Sequence, residues 1–332
     1  LNQPETMDSY RFVHYLNDAK TNAGQAPQFS QQVIDNIAAR NRGEIGLVVP
    51  ITNNGTYSFG EANADTDWYK LHYKDWALSQ EHSLSVSGGT DKLNYYVSGN
   101  FMDQEGLLRY ANDSYYRYTL NGKISGKINK YISFSYNTKW FKTNYDAPSY
   151  LTGLFFHEIL RRWPNYPAID PNGYPIQQSQ IIHLQDGGRQ KEDNNQIMQQ
   201  LSVIINPLPG WNIHLEGNAR INTAFNHTDI EALQAHDAYG KPYDIPSNNK
   251  LVAGQSRVTE TASKTDFYTV NVYSDYSRQF ENHYIKVMAG FNAEVNNARS
   301  LSGQRDGIIS SDVPTLNTAT LEDLATGGYS DW

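Results

Sequence analysis

The residues whose types could do chemistry do not form a catalytic or metal-binding pattern. His157 and Glu158 are adjacent, but the second histidine of a zinc-protease helix is missing. The nine histidines are scattered and there is no cysteine, which excludes a thiol nucleophile and a cysteine-based metal site. Gly187 and Gly188 make too short a glycine run to cradle a phosphate. We therefore predict a protein that is not an enzyme and has neither a metal site nor a cofactor.

Two similar segments could either bind calcium or form turns. They begin at Asp170 (Asp-Pro-Asn-Gly-Tyr-Pro) and at Asp237 (Asp-Ala-Tyr-Gly-Lys-Pro). Neither supplies the further acidic ligands that an EF-hand loop needs. Aspartate, proline, asparagine and glycine form tight turns without a cation. The sequence therefore favours turns at both places.

One long connection, residues 143–195, is rich in aromatic and arginine side chains. Such side chains could hold the face of a sugar, the carboxylate of a peptide or the surface of a partner protein. They could equally pack the connection against its neighbours. The residues that we expect to contact a substrate or partner are Arg161, Arg162, Trp163, Tyr166 and Tyr174.

Composition narrows the class of protein. The net charge of -8 and the pI near 5.6 argue against a nucleic-acid partner, which would require a basic surface. Mean hydropathy is -0.65, and no apolar run is long enough for a membrane-spanning helix. Tyrosine is abundant, with 24 copies, and its apolar ring and polar tip suit the interface of a membrane barrel or a sugar-stacking surface. Tyrosine is also a good strand former, so the tyrosine content alone does not distinguish a membrane barrel or a sugar-stacking surface from an ordinary β-rich protein.

The elements that must position these residues begin with two short helices. Thr6 or Asp8 caps the first helix, and Gly24 ends it. Ser30 opens the second helix, and Gly43 closes it. Their apolar positions recur at helical spacing: Tyr10, Val13 and Leu16, then Val33, Ile34 and Ile37.

After residue 80 the apolar period changes to two, which is typical of β-strands. Four hairpins, or about eight strands, follow one another with turns at 89–91, 129–130, 206–210 and 279–282. Each strand is long enough to cross a bilayer when tilted. The side opposite the apolar one carries charged residues suited to a water-filled or plugged lumen: Lys123, Lys127, Lys139, His214, Glu216, Arg220, Asp275, Lys286 and Glu294.

The lengths of the connections alternate. Turns within hairpins are short, whereas the connections between hairpins, 103–114, 143–195, 226–263 and 299–332, are long. Outer-membrane barrels have short periplasmic turns and long extracellular loops. We read the last stretch, 310–332, as a loop with no returning strand. The pattern predicts an all-β chain that forms part of a transmembrane antiparallel β-barrel, with a short helical extracellular segment near its N-terminus. A soluble β-sandwich remains the alternative.

Several segments carry a family resemblance. They are Pro4 to Phe12, Asp65 to Tyr69 (Asp-Thr-Asp-Trp-Tyr), His82 to Thr90 (ending Ser-Gly-Gly-Thr), Tyr95 to Ser98, Asp103 to Gly106 (Asp-Gln-Glu-Gly) and Val313 to Thr320. In this order they resemble the start of the barrel in SusC/RagA-family TonB-linked outer-membrane transporters. Eight strands would be roughly a third of such a plugged barrel, which needs about 22 strands.

The resemblance implies a division of the chain and a function. Residues 1–79 would be a helical and loop segment at the start of the barrel, and residues 80–332 would be barrel strands. The family's plug and TonB box would precede Leu1, and further strands would follow Trp332. The family imports oligosaccharides or oligopeptides across the outer membrane with energy from TonB, and a SusD-like surface lipoprotein captures the substrate. Two other functions stay open: a soluble or surface-attached β-rich glycan-binding module, and a passive porin or adhesin barrel.

Overall fold

A computed structural model describes residues 5–151, 153–247, 251–321 and 323–331. Within these residues the dominant element is a single antiparallel sheet of nine strands. Its strands, in spatial order, are β1 (Ser79–Gly89), β2 (Leu93–Glu105), β3 (Ser114–Lys127), β4 (Ile132–Pro148), β5 (Arg189–Leu208), β6 (Trp211–Ile230), β9 (Arg257–Phe280), β10 (His283–Asp306) and β11 (Asp323–Asp331). A separate two-stranded hairpin, β7 (Leu233–His236) and β8 (Pro242–Ile245), lies between β6 and β9 in the chain. The sheet is open, because β1 and β11 are its two edges.

The strand register places the apolar residues of successive strands side by side. Tyr136, Leu201, Gly217, Val270 and Ala293 lie opposite one another across β4, β5, β6, β9 and β10. Directly opposed residues of an antiparallel pair share a face. This apolar face is uncovered along the described strands: Leu84, Val97, Leu120, Leu201, Val270, Val287 and Phe291 are all exposed.

The opposite, polar face carries mostly amides, hydroxyls and charges. One row runs Asn121, Lys139, Met198, Arg220 and Phe267 across β3, β4, β5, β6 and β9. The next row toward the short turns runs Lys123, Asn137, Gln200, Asn218 and Thr269. The expected alternation of the strands is therefore confirmed.

The apolar face is limited to a band. On β4 it extends from Ile132 to Trp140, and the next residue on that face is Lys142. On β9 and β10 the face becomes cationic at Lys264 and Arg299, which lie directly opposite each other. The strands continue beyond this level, where the face is mostly polar and charged but still carries one apolar row on β6, β9 and β10: Phe225, Ala262 and Leu301. On β4 and β5 the strand ends nearest the long connections have no apolar face.

Short and long connections lie at opposite ends of the sheet. The short turns cover 90–92, 128–131, 209–210 and 281–282, and the long connections cover 106–113, 149–188, 231–256 and 307–322. Gly210 adopts φ +81°, and an added Cβ there would lie 2.2 Å from the carbonyl oxygen of Ser277, so this tight turn requires glycine.

The N-terminal segment packs on the long connections. Helix α1 (Ser9–Asn22) is capped by Asp8, one of the two candidates in the sequence, and α2 (Gln31–Asn41) is capped by Ser30 as predicted. Their buried residues and Phe29, which lies between the two helices, form one cluster, to which Trp163 of the 149–188 connection adds: Val13, Phe29, Val33, Ile34 and Ile37. Helices α3 (Trp68–His72), α4 (Gly153–Arg161) and α5 (Ile181–Asp186) supply most of a second cluster: Trp68, Leu108, Tyr150, Phe155, Ile159 and Leu184. Among the described helices, none is both long and apolar enough to cross a membrane. We call the described residues of the N-terminal segment before β1 and of the long connections 106–113, 149–188, 231–256 and 307–322 the loop layer.

Three expectations about the strands need correction. The segment after residue 310 was expected to lack a returning strand, yet β11 pairs with β10 from Asp323 to Asp331. The main sheet has nine strands in the described residues instead of about eight. The long connections are also shorter than expected, because β4 continues to Pro148 and β5 begins at Arg189. The backbone ladder continues there although the apolar alternation has ended.

Candidate functional site

A cavity of about 230 Å³ in the loop layer brings together four of the five predicted contact residues. Its lining is Glu158, Arg161, Arg162, Trp163 and Tyr166. The last turn of α4 carries Glu158 and Arg161, and the residues after it leave the helix and reach Tyr166. The arrangement combines two cations, one anion and two aromatic rings in one small opening.

The cavity carries a surplus positive charge. The Glu158 carboxylate accepts hydrogen bonds from both Arg161 and Arg162, the latter at 2.7 Å. Burial lowers the pKa of Arg162 from its usual value, and the Glu158 carboxylate opposes that shift. The Arg162 side chain is 14% exposed, whereas that of Arg161 is 61% exposed. Arg162 therefore anchors Glu158, and Arg161 is available to an anion from solvent.

Trp163 has a packing role. Its ring lies 5.3 Å from Phe29 and 5.7 Å from Phe12 between ring centroids, and its backbone oxygen accepts a 3.0 Å hydrogen bond from Nε1 of Trp68. The Thr66 hydroxyl donates to the backbone oxygen of Tyr166 at 2.6 Å. For Trp163 the geometry therefore supports the alternative that it folds the connection onto the N-terminal helices. Its edge still lines the cavity.

Tyr174 does not line this cavity. Its ring stacks on His236 at 3.8 Å in a different part of the loop layer, where the chain turns after Asp170. Tyr174 and the two arginines share one connection in the sequence, which is why they were expected to lie together. The tight turn that begins at Asp170 and the β7–β8 hairpin that contains His236 separate them in space.

Both aspartate segments form the predicted turns. One carboxylate oxygen of Asp170 accepts hydrogen bonds from the backbone N–H groups of Asn172 and Tyr174, each at 2.9 Å. Asp237 accepts from Tyr239 and Lys241 in the same way, also at 2.9 Å. The two turns meet, because the Asn172 side chain donates to the Ala238 carbonyl at 3.0 Å. In the described parts of the chain, no group of three or more His, Asp or Glu residues is arranged for a metal ion.

A buried histidine joins α3 to the 149–188 connection. His72 has no exposed surface, and its two ring nitrogens lie 2.8 Å from the Trp68 carbonyl and 2.7 Å from the Ser179 carbonyl. Burial lowers the pKa of His72, and the two carbonyl groups oppose the shift. The sequence analysis did not single out this residue. Its spacing of four from Trp68 on a short helix was the available signal.

A perturbed carboxyl group lies where β6 enters its long connection. Burial, together with the neighbouring Asp229 carboxylate, raises the pKa of Glu231 to about 7. One of its carboxyl oxygens is buried without a hydrogen-bond partner. Near neutral pH this group therefore changes charge inside the loop layer.

A second cavity, of about 290 Å³, lies on the polar face of the sheet. Its lining includes Lys139, Met198, Arg220 and Phe267 of one row and Asn137, Gln200, Asn218 and Thr269 of the next. The sequence analysis placed Lys139 and Arg220 on this face but did not recognise a site.

Comparisons with known proteins agree with the resemblance in the sequence. No protein-family model matches the chain. TonB-dependent receptor P39 of Formosa agariphila is 23% identical over 226 residues, which cover 67% of this chain and 20% of the receptor. TonB-dependent receptor P3 of the same organism is 30% identical over 80 residues, 24% of this chain and 8% of that receptor.

The fold matches a solved transporter. A chain of the RagAB peptide importer in its closed-closed state superposes with a TM-score of 0.69 and 17% identity, covering 98% of this chain and 36% of the importer chain. The nine-stranded sheet and its loop layer therefore have the fold of part of that importer chain. The chain is therefore similar in sequence to two TonB-dependent receptors and in fold to part of a RagAB importer chain. The chain spans about a third of the importer chain and a fifth or less of the two receptors.

Proposed function

We propose that this chain is barrel wall and extracellular loop layer of an outer-membrane transporter that imports oligopeptides or oligosaccharides with energy from TonB. In this proposal residues 80–332 form the wall and residues 1–79 form the helical start of the loop layer. A SusD-like surface lipoprotein covers the loop layer and delivers the substrate. The role is transport, with no catalytic step.

The observation that carries the proposal is the uncovered apolar band on one face of the sheet. From Ile132 to Trp140 the band spans about 26 Å along the strand at about 3.3 Å per residue. A tilt of about 40° reduces this to a height of about 20 Å, close to the apolar band of outer-membrane barrels. Within the described residues no second layer packs on this face, whereas a sandwich would cover it.

The ends of the sheet support the orientation. All the long connections and the N-terminal helices lie at one end, and the tight turns lie at the other. In outer-membrane barrels the long loops are extracellular. The loop-layer cavity with Arg161 would then open to the outside, where a partner or substrate arrives. We propose that five residues of the loop layer contact this partner or substrate: Arg161, Arg162, Trp163, Tyr166 and Tyr174. Arg161 is the more accessible of the two arginines.

The fold neighbour that imports peptides favours oligopeptides as the first substrates to test. Uptake of labelled oligopeptides and oligosaccharides should be measured in cells that carry the complete transporter, with and without TonB. The proposal predicts uptake of one of the two classes, lost when TonB is removed. Uptake that continues without TonB would indicate a passive porin, and recovery of the protein from the aqueous phase without detergent would contradict membrane insertion.

A further inference from the structure

The cavity on the polar face has the chemistry of an anion-binding site. Lys139 on β4 and Arg220 on β6 lie in one row and flank Met198 on β5. Two strand spacings separate their backbones by about 10 Å. The Arg220 guanidinium lies over Phe267 of β9, on the side of β6 away from Lys139, so Arg220 can contact an anionic group directly and Lys139 adds positive charge to the same opening.

Within the described residues neither cation is neutralised by a carboxylate. In the residues that the structure covers, Lys139 and Arg220 form no ion pair with a carboxylate, whereas Lys142, Arg189 and Arg257 each do. Two like charges that face the same opening repel each other and favour an anion between them. The positive charge of this wall is therefore available to a ligand.

Phe267 restricts the orientation of the Arg220 guanidinium. The guanidinium carbon lies 5.1 Å from the centroid of the Phe267 ring. When a guanidinium stacks on a ring, its N–H donors still point outward in the plane of the guanidinium. They can therefore form two parallel hydrogen bonds with a planar carboxylate. Beside this pair, Asn137, Gln200 and Asn218 offer amide groups that can donate to and accept from the neutral remainder of the same molecule.

We propose that this cavity is a transit site on the lumen wall that binds a carboxylate group carried by the substrate. The inference rests on the proposed transport function and adds the charge of the cargo. Arg220 binds the carboxylate, Phe267 positions Arg220, Lys139 adds positive charge to the opening, and the three amides contact the rest of the substrate. Both cations are exposed to solvent, so salt and water screen their attraction for the carboxylate. The carboxylate therefore binds weakly, as its release from a transit site requires.

The test uses the complete transporter and two matched pairs of substrates. One pair is a glutamate-rich hexapeptide and its glutamine counterpart, and the other is an oligogalacturonate and its methyl ester. Uptake and equilibrium binding are measured for the unaltered protein and for Lys139→Gln and Arg220→Gln. Lys127→Gln is the matched control, because Lys127 lies on the same face but outside the cavity.

We expect Arg220→Gln to weaken binding of the charged member of one pair on the order of tenfold, and Lys139→Gln to weaken it by a smaller factor. The neutral member should change less than twofold, and Lys127→Gln should leave both unchanged. The pair that responds identifies whether the carboxylate belongs to a peptide or to a sugar acid. The site is refuted if the variants treat charged and neutral substrates alike. If the unaltered transporter takes up neither pair, the result contradicts the proposed transport function as well as the transit site.

Discussion

Replacing one outward side chain with arginine tests whether hydrocarbon covers the apolar face. Phe291 lies near the middle of the apolar run of β10, opposite Val272, and 66% of it is exposed. Asn292 is the next residue along the strand and lies on the polar face, opposite Asn271. The variants Phe291→Arg and Asn292→Arg therefore introduce the same charge at the same depth on opposite faces.

The magnitude follows from the two environments. An arginine on the lipid face of a barrel near the bilayer midplane costs about 2–4 kcal/mol. Loss of the phenylalanine ring from an apolar environment adds about 2 kcal/mol. Phe291→Arg should therefore destabilise the folded barrel by about 4–6 kcal/mol. Asn292→Arg loses a side-chain hydrogen bond to Asn271 in an exposed position, which costs about 1 kcal/mol.

The assay is reversible denaturant unfolding of the complete transporter in lipid vesicles, with the fraction recovered in outer membranes as a second readout. We expect a large loss of stability and of membrane recovery for Phe291→Arg and near-normal values for Asn292→Arg. Equal effects of the two variants, or a larger effect of Asn292→Arg, would refute the assignment of the faces.

Three further predictions concern the loop layer. Because the pKa of Glu231 lies at about 7 in the folded loop against an ordinary 4.5, the folded state holds the extra proton between these values, so the loop loses stability as pH rises through that window. Solvent access reduces the effect to about 1–2 kcal/mol. Glu231→Gln should therefore reduce the pH dependence of the hydrogen-exchange protection factors, which are corrected for the intrinsic exchange rate, in residues 231–247. Arg161→Gln should weaken partner or substrate binding without lowering the melting temperature. Arg162→Gln should lower the melting temperature, because the buried Glu158 carboxylate then keeps only its ion pair with Arg161. The opposite result for the two variants would contradict the assigned roles. Trp68→Ala removes a buried ring and its hydrogen bond to the 149–188 connection, so it should cost the loop layer about 3–5 kcal/mol while the sheet stays protected from hydrogen exchange.

Local patterns made much of the fold predictable. The helix caps at Asp8 and Ser30 and the hairpin turn at Gly210 depend on neighbouring residues, and the structure confirms all three. Strand faces were predictable because a wet face and an apolar face impose a period of two. The sequence order of the motifs then indicated the family, which composition and periodicity alone did not.

Strand β11 was missed for a physical reason. It is short, contains Gly327 and Gly328 and has no regular alternation, so its pairing depends on the free backbone edge of β10 instead of on its side chains. The extension of β4 and β5 past the apolar band was missed in the same way. Where both faces are polar, the hydrogen-bonded ladder leaves no mark in the hydrophobic pattern.

The candidate site was predictable only in part. Arg161, Arg162, Trp163 and Tyr166 are close in sequence and meet in one cavity. Contacts between distant segments, such as Trp163 with Phe12 and Tyr174 with His236, depend on how the loops pack. The cavity of the polar face combines residues of β4, β5, β6 and β9, so strand order had to be known first.

The most direct test of the central claim is a cysteine scan along β10. The chain contains no cysteine, so single substitutions from residue 289 to 296 add one thiol each to this segment. In lipid vesicles, a water-soluble maleimide should label the even-numbered positions, and a lipid-borne quencher should quench a fluorophore at the odd-numbered ones. Labelling of all positions without alternation, or water-accessible thiols at 289, 291, 293 and 295, would contradict the contact between the apolar face and hydrocarbon.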